Sequence, residues 1–200
     1  STALFVVTVL EILASGFTPQ NVLTCLKTGF FGYPEEDIRL FENYLSLWSV
    51  RPSGLETPFV YPVRGMTKRR GEQDGELLTR IEFLRRDFTG RLLDLRRQTE
   101  GKTVREISER LYSFLLSLGI EEHMRNAAEL YLKFGEQALY AEHLQVYDLI
   151  LESLDEIVLT CGKDVLTLTE YSDLVLSVLD SKDIAILPTA ADEVMTGNMN

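Results

Sequence analysis

The chain has 200 residues, 45% of them hydrophobic, which is enough for one generous domain with a real core. Its formal net charge of −11 excludes a binder that is basic throughout, and its two cysteines are too few for a zinc or iron–sulfur cluster site built within the chain. No apolar run reaches the roughly 18–20 residues of a membrane span; the longest, Ala3 to Leu10, contains Thr8 and stops at Glu11, with no basic stretch before it and no cleavage pattern after it.

Residues 2–15 are apolar on nearly all sides, which predicts a buried first helix ended by Gly16. Thr18-Pro19 reads as an N-cap followed by N1 of a second helix, closed by Gly29. Pro34 opens a third, with Glu35, Glu36 and Asp37 complementing its dipole and Ile38, Leu40, Phe41, Leu45 and Trp48 on its core side. From 50 to 75 the prolines and glycines break any periodicity, so a long central loop is expected, with Phe59-Val60-Tyr61 as a brief strand. The helical pattern returns from Glu76 to about Thr99, with arginines on the face opposite its leucines. Thr103-x-x-Glu106 and Thr167-x-x-Glu170 are capping boxes that open two further helices. Between them, 121–135 and 136–160 read as helices that bend near Gly135. Ile184-Ala185-Ile186-Leu187 reads as a short C-terminal strand stopped by Pro188. The expected fold is mainly α: a multi-helix domain over 1–181, then an extended segment over 182–200.

The charge is uneven. Residues 64–110 hold 13 Lys and Arg against nine Asp and Glu, whereas 111–200 hold four against 16. A basic segment of this kind can meet phosphate although the whole chain is acidic. Arg64, Lys68, Arg69 and Arg70 fall within seven residues, preceded by Phe59 and Tyr61, a pattern that suits a DNA backbone with an aromatic for stacking. The same stretch also reads as a solvated loop, because Glu72-Gln73-Asp74 offset its field.

Catalytic patterns are missing. Gly101-Lys102-Thr103 lacks the glycine five residues earlier that a phosphate loop needs; Arg96 stands there, and Thr103 is better used as an N-cap. His123 and His143 sit in no metal-binding spacing, no G-x-S-x-G elbow exists, and no set of carboxylates with a lysine at nuclease spacing stands out. Cys25 and Cys161 lie in apolar helical patterns and read as buried thiols in a reducing, cytoplasmic setting. Catalytic, metal and cofactor sites are therefore all expected to be none. The start at Ser1 and the run Val194 to Asn200 look like cuts from a longer protein.

Four blocks in order resemble the AddB/RexB family, the B subunits of bacterial ATP-dependent helicase–nucleases. Cys25-Leu26-Lys27-Thr28-Gly29-Phe30 is similar to the family's Y-L-K-T-G-L; Ile38 through Trp48 to I-D-L-L-E-N-Y-V-L-x-W/Y; Glu142 to Tyr147 with Leu149, Leu151, Leu154, Asp155 and Glu156 to Q-V-W/Y…L-x-L…L-D-E; and Leu187-Pro188 with Asp192 to Gly197 to I-P-P-x-x-D-Q-V-x-V-G. Cys25 stands where the family has tyrosine and Glu193 where it has glutamine, and 52–75 matches no block. The resemblance implies a helical accessory domain of the 2B kind, with 182–200 leading back into the second helicase lobe. It also implies that ATP, Mg and the iron–sulfur cluster belong to other parts of the parent. Implied partners are DNA, the A subunit and the remaining domains of the B subunit, in double-strand-break repair by homologous recombination. Lys27, Arg64, Lys68, Arg69 and Arg70 are the expected DNA contacts; Asn43 and Gln145 suit bridging between helix ends. The rival reading is a free-standing helical protein–protein interaction module with an acidic docking face.

Overall fold

The computed structural model describes residues 2–65, 72–135 and 137–182. Its described residues form α1 (Thr2–Ser15), α2 (Pro19–Lys27), α3 (Glu35–Leu47), a 3-10 turn (Pro52–Leu55), α4 (Glu72–Thr99), α5 (Val104–Ser117), α6 (Ile120–Lys133), α7 (Gln137–Cys161) and α8 (Leu168–Ser181). They contain no strand, only one isolated antiparallel bridge between Thr103 and Val165.

The core is built around α1, which packs against α2, α4, α7 and α8. Phe5, Val6, Val9, Leu10, Ile12 and Leu13 are all buried, as the unbroken apolar sequence requires. Thr8 is tolerated there because its hydroxyl donates to the Leu4 carbonyl at 2.7 Å. An aromatic cluster joins the helices: Phe31 lies 4.7 Å from Phe88 and 5.9 Å from Phe5, and Phe5 lies 5.0 Å from Phe30, ring centre to ring centre. Such pairs add about 0.5–1.5 kcal/mol each beyond the area they bury.

The helix starts follow local chemistry. Thr18, Thr103 and Thr167 each accept the N3 amide, and the N3 side chain of Asn21, Glu106 or Glu170 bonds back to the cap amide. The amides of Val104 and Arg105 donate to the carbonyls of Asp164 and Gly162, so the turn after α7 also satisfies the start of α5. Gly16 and Gly119 end helices at φ +85° and +64°, which side chains rarely adopt.

Three sequence expectations need correction. α4 begins at Glu72, not Glu76, and carries Gly75 within it; buried Asp74 offsets part of that glycine's cost by accepting the Arg64 amide at 3.2 Å. Residues 59–61 form no strand: their amides bond to side chains, Phe59 to Glu82 at 2.9 Å and Tyr61 to the Tyr44 hydroxyl at 3.1 Å. The two helices expected over 121–135 and 136–160 are present as α6 and α7, with Gly135 between them at φ +81°. Arg85 does not share the solvated face of its neighbours but is buried. The expected strand at 184–187 and the stretch 183–200 lie outside the described residues.

Arg85 explains why the described part of the α3–α4 connection is packed rather than loose. Its Nε and Nη2 donate to the Glu82 carboxylate at 2.8 and 2.6 Å, and its Nη1 donates to the Leu55 carbonyl at 3.0 Å. Leu55, Phe59 and Val63 turn inward and are buried, with Phe59 stacked 4.3 Å from Tyr44. The described part of this stretch holds a 3-10 turn and buried side chains, so a run of breakers does not report an absence of packing.

Candidate nucleic-acid interface

The expected DNA-binding cations are distributed unevenly. Lys27, in the last turn of α2, donates to Glu42 of α3 at 2.6 Å, so a phosphate there would compete with a carboxylate. Arg64 is exposed and lines a cleft of about 410 Å³ between α3 and α4, together with Glu36, Asn43, Glu76 and Arg80. Lys27 does not line this cleft. Arg80 is itself held by Glu36 and Asp37, which leaves Arg64 as the cation there whose guanidinium has no carboxylate within 4 Å among the described residues, while its backbone amide donates to Asp74. Lys68, Arg69 and Arg70 lie outside the described residues. Neither Asn43 nor Gln145 bonds a helix end among the described residues; both are exposed.

The structure adds cations that the spacing of the loop did not single out. Arg86, Arg96, Arg105 and Arg110, on α4 and α5, have no carboxylate within 4 Å among the described residues. Arg91 and Arg110 line a second cleft, of about 360 Å³, with Asp94, Gln98, Ser113 and Ser117. These arginines were legible as a charged stretch. Which of them were free was not, because partners such as Asp87 for Arg91 and Asp94 for Arg97 depend on rotamers and neighbouring turns. In the sequence Phe59 and Tyr61 read as equivalent aromatics. Phe59 is 7% exposed and Tyr61 50%, so only Tyr61 faces outward.

The remaining titratable groups have structural surroundings. Burial pushes the Cys25 thiol far above its ordinary value, which makes it inert, and the Cys161 thiol donates to the Ile157 carbonyl. The Tyr171 hydroxyl is pushed up to about 12 by burial and lies 2.8 Å from that of Ser108. Thr103, the residue that invited a phosphate-loop reading, uses its hydroxyl as the α5 cap. Among the described residues no group of three or more His, Cys, Asp and Glu could hold a metal ion, and no helix is long and apolar enough to cross a membrane.

No family model matches the chain. Curated proteins do. The B subunit of the ATP-dependent helicase/deoxyribonuclease of Caldanaerobacter subterraneus subsp. tengcongensis is 25% identical over 199 residues, covering 98% of this chain. The proteins of the same name from Acetivibrio thermocellus and Desulforudis audaxviator are 25% and 27% identical over 97% and 95% of it. The chain is a homologue of these B subunits. The AddB resemblance carried by the four blocks is therefore borne out, and the alignment takes in 98% of the chain rather than the blocks alone. The chain spans 17% of the length of these AddB relatives.

Proposed function

We propose that the chain is a non-catalytic helical segment of an AddB-type subunit, which scaffolds a helicase–deoxyribonuclease and borders the DNA it processes. Residues 1–181 would be the helical accessory domain and 182–200 the return into the second helicase lobe. The A subunit and the rest of the B subunit are the protein partners, and repair of double-strand breaks in the cytoplasm is the setting. The observation that carries this reading is the alignment of nearly the whole chain with one 17% stretch of the B subunits. The free guanidinium groups of Arg64, Arg86, Arg96, Arg105 and Arg110 support DNA contact, since phosphate neutralisation dominates affinity for nucleic acid. ATP, Mg and the iron–sulfur cluster then belong to other parts of the parent.

Fluorescence anisotropy with a forked duplex tests it. The 200-residue chain should bind at low salt. Changing Arg64, Lys68, Arg69 and Arg70 together to alanine should flatten the log–log salt dependence by about one unit for each phosphate no longer neutralised. A chain that binds no forked duplex even at low salt would refute the DNA-bordering role.

One observation favours the second reading, a protein-docking module with an acidic face. Leu159 and Val165 are 84% and 63% exposed, and Val158, next to Leu159, lines an apolar groove between α5 and α7 with Tyr112, Leu151 and Leu154. A stable dimer in sedimentation, abolished by Leu159→Ser, would support that reading.

A further inference from the structure

Tyr61 is an exposed aromatic of the α3–α4 connection, which turns Phe59 and Val63 inward. Its ring lies on that of Trp48, centres 4.6 Å apart and planes 22° from parallel. Both flanks of the stack are pinned. The Tyr61 amide donates to the Tyr44 hydroxyl at 3.1 Å, and the Trp48 indole N–H donates to the Pro62 carbonyl at 3.0 Å. Tyr44 is itself almost wholly buried, so the platform is anchored in the core. With its indole N–H satisfied by backbone, Trp48 backs Tyr61 through its π face. Tyr61 has half its surface in solvent, and among the described residues no ring other than that of Trp48 touches it.

Along the chain around this stack cations outnumber acids. Between Asn43 and Gly65 the chain carries two cations, Arg51 and Arg64, and one acid, Glu56. Both arginines are exposed and neither guanidinium has a carboxylate within 4 Å among the described residues, although Arg64 shares its cleft with Glu36 and Glu76. Arg64 stands three residues after Tyr61, and Gly65 approaches Leu47, the neighbour of Trp48, so that a Cβ there would lie 3.6 Å from its side chain. An exposed aromatic ring with cations on either side in sequence is the chemistry of a single-strand site: the ring stacks on a base, whatever its identity, and the guanidinium groups meet the flanking phosphates. A duplex, whose bases are already stacked on each other, cannot use the ring in this way.

We propose that Tyr61, backed by Trp48 and with Arg51 and Arg64 on either side in sequence, is a stacking platform for an unpaired base of single-stranded DNA. This rests on the DNA-bordering reading above and narrows it from duplex to single strand. The test compares the 200-residue chain with Tyr61→Ala and Tyr61→Phe, each checked for an unchanged thermal melt by circular dichroism. The probes are a fluorescein-labelled oligodeoxythymidine of about twelve nucleotides, within the site sizes usual for single-strand binders, the same backbone without bases, and the forked and blunt duplexes. Tyr61→Ala should weaken oligodeoxythymidine binding about tenfold and leave blunt-duplex binding within about twofold, while Tyr61→Phe keeps wild-type affinity. Emission of Trp48, the chain's only tryptophan, should change on binding oligodeoxythymidine and not on binding the abasic backbone. Equal affinity of the wild-type chain for the thymidine and abasic strands, or wild-type affinity in Tyr61→Ala, overturns the platform while DNA bordering stands. Absence of binding to every DNA overturns both. If Tyr61→Ala unfolds, the comparison of thymidine with abasic strands and the Trp48 signal decide the matter.

Discussion

Glu82 accepts three hydrogen bonds, two from the buried Arg85 and one from the Phe59 amide, and so ties the α3–α4 connection to α4. Burial alone would raise its pKa. The Arg85 bonds, the Phe59 amide and the nearby Arg86 charge outweigh that and hold the carboxyl below its ordinary value. Replacing Glu82 with alanine leaves a buried guanidinium unpaired and should destabilise the fold by about 2–4 kcal/mol in urea melts. The sign with pH follows from the direction of the shift. A depressed carboxylate contributes stability above the unfolded-state pKa of about 4.3, and this is lost as pH falls through the lower folded value. Wild type should therefore lose stability to acid more steeply than Glu82→Ala, and parallel acid profiles would show that the pair is not formed. None of this was visible as a pattern. Arg85 and Arg86 are adjacent arginines in the sequence, and only the position of the connection over α4 buries one and exposes the other.

At the scale of elements, the Thr-x-x-Glu boxes were legible because capping is local: four consecutive residues supply both donors and both acceptors. Thr103→Ala and Thr167→Ala should each cost about 1 kcal/mol in denaturant melts, with Thr→Ser at the same sites costing much less. The Thr backbone and hydroxyl bonds depress Glu106 and Glu170 below the usual carboxylate range, so these caps weaken on acidification in the same sense as Glu82. If either alanine variant melts as wild type, that box is not formed in solution. The start of α4 escapes local reading for the opposite reason. Gly75 reads as a breaker by propensity, but tertiary bonding at Asp74 to the Arg64 amide carries the helix past it.

At the scale of the whole molecule, α1 is the element on which α2, α4, α7 and α8 converge. Its amides should exchange with deuterium more slowly than those of α6, which packs chiefly on α5 and α7. Mass-spectrometric exchange that finds α1 no better protected than α6 would show that the core is centred elsewhere. Charge is also organised at this scale, with basic character confined to 64–110 and an excess of acid after it. Under the proposed function, that separation would let an acidic chain approach phosphate along its basic segment while the rest disfavours it.

The sequence by itself determined the helical class, the buried character of α1, the capped starts of α2, α5 and α8, and the kinship with the B subunits. These depend on periodicity, on four-residue chemistry and on blocks whose order survives at 25% identity. Only the tertiary structure decided which charges are free and which aromatic faces solvent. Lys27 is matched by Glu42 fifteen residues away, Arg85 is buried beneath Leu55 thirty residues away, and Tyr61 is held outside by Trp48 and Tyr44. Each of these outcomes turns on a partner that is distant in the chain, and burial and pairing are properties of the packed neighbourhood rather than of local sequence.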